Sequence, residues 1–115
     1  MNYLLVDFEN IQPKWLDKLD TNKWCIITFI GPKQCSVSSN YAISKQKFGH
    51  GSKYVKVRHS GPNSLDFHLA YELGQLSQID PHGVYHVASK DKGYDPLIKS
   101  LKNSGLTVFR SEIIE

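Results

Sequence analysis

Four aspartates, Asp7, Asp66, Asp91 and Asp95, are the residues of this chain with the means to do chemistry. Ionised carboxylates packed within a few ångströms repel one another, so either their pKa values rise or a cation joins them. A hard divalent ion such as magnesium or manganese takes oxygen ligands and keeps several waters. It can both activate a water and offset the charge that develops on a phosphate during hydrolysis. Two such ions would stand roughly 3.5–4 Å apart, and the spacing of the acids leaves one or two ions open. Glu9 and Asn10 follow Asp7 closely and offer a supporting carboxylate and an amide able to hold Asp7 or a metal-bound water. Three of the acids also have plainer uses: Asp95 before Pro96 as a helix N-cap, Asp66 in a first helical turn, Asp91 in a loop. Asp7 has none, because it follows an apolar strand with no helix to cap.

The elements that must position these acids alternate between strand and helix, the pattern of a mostly parallel sheet covered on both faces. Tyr3-Leu-Leu-Val6 is an apolar strand ending at Asp7, and Pro13 to Leu19, with Trp15, Leu16 and Leu19 on one face, predicts a short helix. Trp24 to Ile30 is the second strand, closed by Gly31-Pro32. Ser36 to Phe48 predicts a second helix, and Tyr54 to Arg58 alternates as a third strand. The clearest helix is Ser64 to Ile79, where Leu65, Leu69, Leu73 and Leu76 form one stripe and Asn63 or Ser64 would cap the amides. Val84 to Ala88 is a fourth strand, Pro96 opens a helix to about Lys102, and Leu106 to Phe109 makes a fifth strand. This order puts Asp7, Asp66, Asp91 and Asp95 at one edge of the sheet, at the carboxyl ends of the strands, where ligands bind in open parallel sheets.

Composition bounds the reading. The 115 residues suit one domain, and 40% hydrophobic with 22% charged residues is a globular profile, not a disordered one. The longest apolar run, Trp24 to Ile30, is far below the roughly 20 residues of a membrane span, and the start has no basic leader region, so a cytoplasmic place is expected. Cys25 and Cys35 lack metal-ligand spacing and read as reduced thiols. The net charge is +3, but gathering four of the 11 acidic residues into one pocket leaves the 14 Lys and Arg in clear excess elsewhere. An acidic pocket in a basic surface suits a polyanion. No Gly-rich phosphate loop follows the first strand, and no G-x-S-x-G nucleophile turn occurs.

Three segments, Leu5-Val-Asp-Phe-Glu-Asn-Ile-Gln12, Asn63-Ser-Leu-Asp-Phe-His-Leu-Ala70 and Ser89-Lys-Asp-Lys-Gly-Tyr-Asp-Pro-Leu-Ile98, together resemble the PIN-like superfamily of nucleases, closest to its bacterial PIN-like and NYN branch. The resemblance extends over positions 3 to 110. It implies one PIN-like domain over residues 1–115, a three-layer α/β/α sandwich with a central, mostly parallel five-stranded sheet, and a magnesium- or manganese-dependent cut in RNA. By motif, Asp7 corresponds to the first acid, Asp66 to the central acid, and Asp91 and Asp95 to the late pair, all as catalytic metal ligands. Asn10 matches the asparagine of the opening motif and Ser89 the hydroxyl residue before the late acids. Glu9 shares the side of Asp7 only if the strand continues past the sheet edge. The chain departs from the fuller pattern in the short link before the long helix, which leaves little material for a substrate-recognition insertion. Self-association is implied by the resemblance alone.

RNA contacts are expected from Lys90 and Lys92, flanking Asp91, and from Lys33 and Gln34, after the second strand at the same edge. Lys45, Lys47, Lys53, Lys56 and Arg58 read mainly as solvated faces, some of them lining a basic track. Phe8 and Tyr94, near the acids, either stack on an unpaired base or pack in the core. His68 lies about 200° around the helix from Asp66 and should point away from it. Three functions fit these residues: a hydrolytic ribonuclease, a catalytically silent RNA-binding or assembly module of the same fold, and a phosphotransfer domain. The last is weakened because Glu9 stands where a DxD phosphatase has its second aspartate. The size suits a toxin or defence effector as well as RNA processing.

Overall fold

Apolar strands bury best at the centre of a parallel sheet packed on both faces, and the central strands of this chain are buried in that way. The computed structural model describes residues 1–113. Strands β1 (Asn2–Asp7), β2 (Trp24–Ile30), β3 (Ser52–Lys56), β4 (Val84–Ala88) and β5 (Thr107–Ser111) form one five-stranded sheet in the order β3-β2-β1-β4-β5. Every pairing is parallel. Helices α1 (Ser39–Gln46), α2 (Ser64–Ile79) and α3 (Asp95–Asn103) complete the α/β fold. None of them is long and apolar enough to cross a membrane.

Alternation along the strands sorts the core into two layers. One face presents Leu5, Ile27, Tyr85, Val87 and Val108 to Leu65, Leu69 and Leu73 of α2 and to Ile98 of α3. The other presents Leu4, Val6, Ile26 and Ala88 to Trp15, Leu16, Tyr41 and Phe48. This second layer is thin. Among the described residues it consists of α1 and the irregular segment that carries Trp15 and Leu16. Beyond them the rings of Trp24, His86 and Phe109 form a row with centroids 4.9 and 5.6 Å apart.

Several expected boundaries move, each for a local reason. The helix expected over Pro13 to Leu19 is only a 3-10 turn at Leu16–Lys18. Seven residues hardly repay helix nucleation, and burying Trp15 and Leu16 under the sheet decides the path instead. Helix α1 starts at Ser39, not Ser36, because Ser38 is extended and its side chain accepts from the Tyr41 amide. Strand β3 begins two residues early, at Ser52, to pair with Ile26, and β5 begins at Thr107, not Leu106. Neither Asn63 nor Ser64 caps α2 with its side chain: Asn63 is left-handed (φ 60°), and the Ser64 hydroxyl donates to the His59 carbonyl. Lys45 is no solvated residue. It is 1% exposed, its Nζ donates to Ser52 Oγ (2.7 Å) and the Lys53 carbonyl (2.6 Å), and burial pulls its pKa down to about 8.

Candidate active site

The carboxyl edge of the sheet carries a cleft of about 520 Å³, lined by Asp7, Glu9, Asn10, Lys33, Asp66 and Asp91 together with Pro32, with Ser60, Gly61 and Asn63 before α2, and with Ser64 and Leu65 at its start. Asp7 is its deepest acid, 4% exposed at the end of the central strand. Because Val6 pairs with Ala88 in parallel register, the next residue of each strand lies side by side, and Ser89 Oγ donates to Asp7 Oδ2 at 3.0 Å. The same Ser89 oxygen accepts the Asp91 amide at 3.0 Å. Helix α2 brings Asp66 from its first turn, and the Tyr94 hydroxyl bridges the two acids, 2.9 Å from Asp66 Oδ1 and 3.3 Å from Asp7 Oδ2.

Electrostatics follow from this packing. Burial lifts the Asp7 carboxyl, the Ser89 hydrogen bond opposes the lift, and the charges of Asp66 and Glu9 add to it, giving a pKa of about 6. Burial, then the Asp7 and Asp66 charges, hold Tyr94 well above the ordinary tyrosine range, so it stays a phenol. Carboxylates brought together without a basic partner create a demand for positive charge. Among the described residues, no three His, Cys, Asp or Glu side chains form a ready-made metal cage. The donor set nevertheless fits a magnesium-like ion, which is commonly held by one or two carboxylates and completes its shell with water.

The expected residues divide. Asp7, Asp66, Asp91, Glu9 and Asn10 are brought together, and Ser89 lies buried behind Asp7. Asn10 also accepts the Lys90 amide (2.6 Å), tying the loop after β1 to the turn after β4. Asp91 is the N-cap of the Lys92–Tyr94 turn, its Oδ1 accepting from Gly93 N at 2.8 Å. Asp95 does not join them. It caps no helix with its side chain. Its carboxylate takes the Arg110 guanidinium (Nε to Oδ1, 2.7 Å), which holds it below the ordinary carboxyl range. Arg110 donates in turn to the Ser89 carbonyl at 3.1 Å.

Of the expected RNA contacts, Lys33 lines the cleft, whereas Lys90 and Lys92 are exposed on the neighbouring turn. Gln34 is spent on the backbone, accepting from Gly31 N and donating to the Phe8 carbonyl. Phe8 and Tyr94 are core residues, 4% and 3% exposed, not stacking platforms. His68 bonds back to the Ser64 carbonyl and does not line the cleft.

Sequence reasoning missed Arg110 altogether and weighed Tyr94 only as a stacking or core ring, not for its hydroxyl. The signal for Tyr94 was the need of a buried phenol for a polar partner, in a segment flanked by acids. For Arg110 it was a cation near the end of β5, at the edge that carries the acids. Gly31 matters by what it lacks: a Cβ there would collide with the Glu9 carboxylate that lies over it.

A family model described as PIN domain matches residues 1–111. No curated protein and no solved structure matches the chain. PIN domains are generally metal-dependent nucleases acting on RNA. With the sheet order, the acids at its carboxyl edge and a match over nearly the whole length, the chain belongs to the PIN domain family.

Proposed function

We propose that this protein is a divalent-metal-dependent endoribonuclease that hydrolyses RNA phosphodiester bonds in the cytoplasm, with water as the nucleophile. The observation that carries this reading is the meeting of Asp7 and Asp66 on one tyrosine hydroxyl in a cleft that Asp91 also lines. Asp7, Asp66 and Asp91 would hold magnesium or manganese, which when bound supplies an activated water and offsets phosphate charge. Ser89 orients Asp7 and, through its contact with the Asp91 amide, sets Asp91 relative to it. Glu9 and Asn10 border the cleft, and Asn10 fixes the turn that carries Asp91. Lys33 offers the RNA backbone a cation inside the cleft, and Lys90 and Lys92 add positive charge beside it. Asp95 is assigned to the turn, acting through Arg110 on the Ser89 carbonyl, and not to the cation.

The test is incubation of the purified chain with end-labelled single-stranded and structured RNA, with magnesium, manganese or EDTA. Metal-dependent internal cleavage that disappears in Asp7→Asn and Asp91→Asn is the expected result. RNA bound but left intact under every metal would mean a catalytically silent module instead.

A further inference from the structure

Tyr94 lies in the last core layer under the cleft, and its ring packs with the α2 and α3 leucine and isoleucine side chains. Packing alone would be served by phenylalanine. The hydroxyl is what sets the residue apart, because it meets two carboxylates carried by different elements, Asp66 from α2 and Asp7 from β1. A phenol carries one hydrogen, so it serves one carboxylate at a time and stands against the other. The bridge therefore organises the pair without neutralising it.

What it organises follows from the remaining oxygens. Asp7 Oδ2 takes Ser89 and Tyr94, and Asp66 Oδ1 takes Tyr94. Among the described residues, Asp7 Oδ1 and Asp66 Oδ2 receive no protein donor. No buried side-chain polar atom there lacks a partner, so these two oxygens open onto the cleft that both residues line.

We propose that Tyr94 is a positioning residue: by engaging Asp7 Oδ2 and Asp66 Oδ1 it turns the other oxygen of each carboxylate toward one shared divalent cation. The inference rests on the reading of the cleft as a metal site. It adds that the two ligands are set by a single phenol on a third segment of the chain. Partners of metal ligands that act this way are worth roughly 10–100-fold in metal affinity.

The experiment is manganese binding to the full chain by isothermal titration calorimetry, with thermal unfolding in EDTA alongside. Tyr94→Phe keeps the ring in the core, so its melting temperature should stay close to that of the unsubstituted chain while manganese affinity falls by about 10–100-fold. In an Asp66→Asn background the same substitution should cost little more than Asp66→Asn alone, since one of the bridged ligands is already gone. A Tyr94→Phe protein that melts normally and binds manganese as tightly as the unsubstituted chain overturns the proposal. Should Tyr94→Phe fold poorly, the unsubstituted chain carries the test: manganese binding should perturb the near-ultraviolet circular dichroism of tyrosine, and a silent tyrosine band at saturation overturns it. Undiminished binding in Asp7→Asn and Asp66→Asn would overturn the metal-site reading itself, a result distinct from a failure at Tyr94 alone.

Discussion

Asp7→Asn should make the protein more stable while abolishing its activity. The carboxylate is 4% exposed, accepts the Ser89 hydroxyl through Oδ2 and shares the Tyr94 hydroxyl with Asp66, and faces the charge of Asp66. An asparagine oxygen can keep both of those bonds while the amide nitrogen takes the place of Oδ1 at the cleft. The pKa of about 6 against an ordinary 3.8 means that folding penalises the charged form. At full strength the difference corresponds to about 3 kcal/mol, and screening by water in the open cleft reduces it to roughly 1–2 kcal/mol. Between pH 3.8 and 6 the folded protein binds more protons at this site than the unfolded chain. The penalty is therefore complete above pH 6 and fades as the pH falls toward 4. Thermal unfolding in EDTA should show Asp7→Asn melting roughly 5 °C above the unsubstituted protein at pH 8. The gap should close by about pH 4, with all other titrations common to both proteins. Magnesium should raise the melting temperature of the unsubstituted protein and not that of the variant. An Asp7→Asn protein that is no more stable at pH 8, or a gap that does not change with pH, would mean that burial of the Asp7 charge carries no such penalty.

Asp91→Asn and Asp95→Asn should part company: the first weakens manganese binding at least tenfold in calorimetry, whereas the second leaves it within about twofold and lowers only kcat, through the Arg110 contact with Ser89. Lys33→Ala should raise KM for a labelled oligonucleotide several-fold with little change in kcat, and reduce by about one the slope of log affinity against log salt. Gly31→Ala should push the Glu9 carboxylate off its seat at a stability cost within about 1 kcal/mol, because the far end of a flexible side chain can yield. Its effect on turnover should disappear when combined with Glu9→Ala, and additive losses in the double variant would refute that link.

The sheet was legible because its strands are apolar and punctuated: Trp24–Ile30 and Val84–Ala88 fall where the pattern puts them, as does α2 from Ser64 to Ile79. The segment after β1 was not, since the apolar spacing of Trp15, Leu16 and Leu19 is also what a chain needs to cover a sheet without forming a helix. Of the acids, Asp7, Asp66 and Asp91 converge because strand ends and a helix start fix them. Asp95 looked the same in sequence, and what removes it is a partner 15 positions away on the neighbouring strand β5. Long-range pairs of this kind leave no periodicity. Lys45 was misread for a related reason, as its polar partners Ser52 Oγ and the Lys53 carbonyl appear only when β3 lies alongside α1.

The hydrogen bonds that seat Asp7 reach across 82 and 87 positions of the chain. A ribosome makes β1 before its partners, so Asp7 lacks Ser89 and Tyr94 until synthesis has passed β4 and the turn after it. The central strand can take its place between β2 and β4 only after β4 exists, and contacts of such separation form slowly. A nascent or truncated chain ending before Tyr94 thus carries the first acid without the arrangement that gives it meaning. If the cleft cuts RNA as proposed, this delay would keep the growing chain inert beside the message that encodes it.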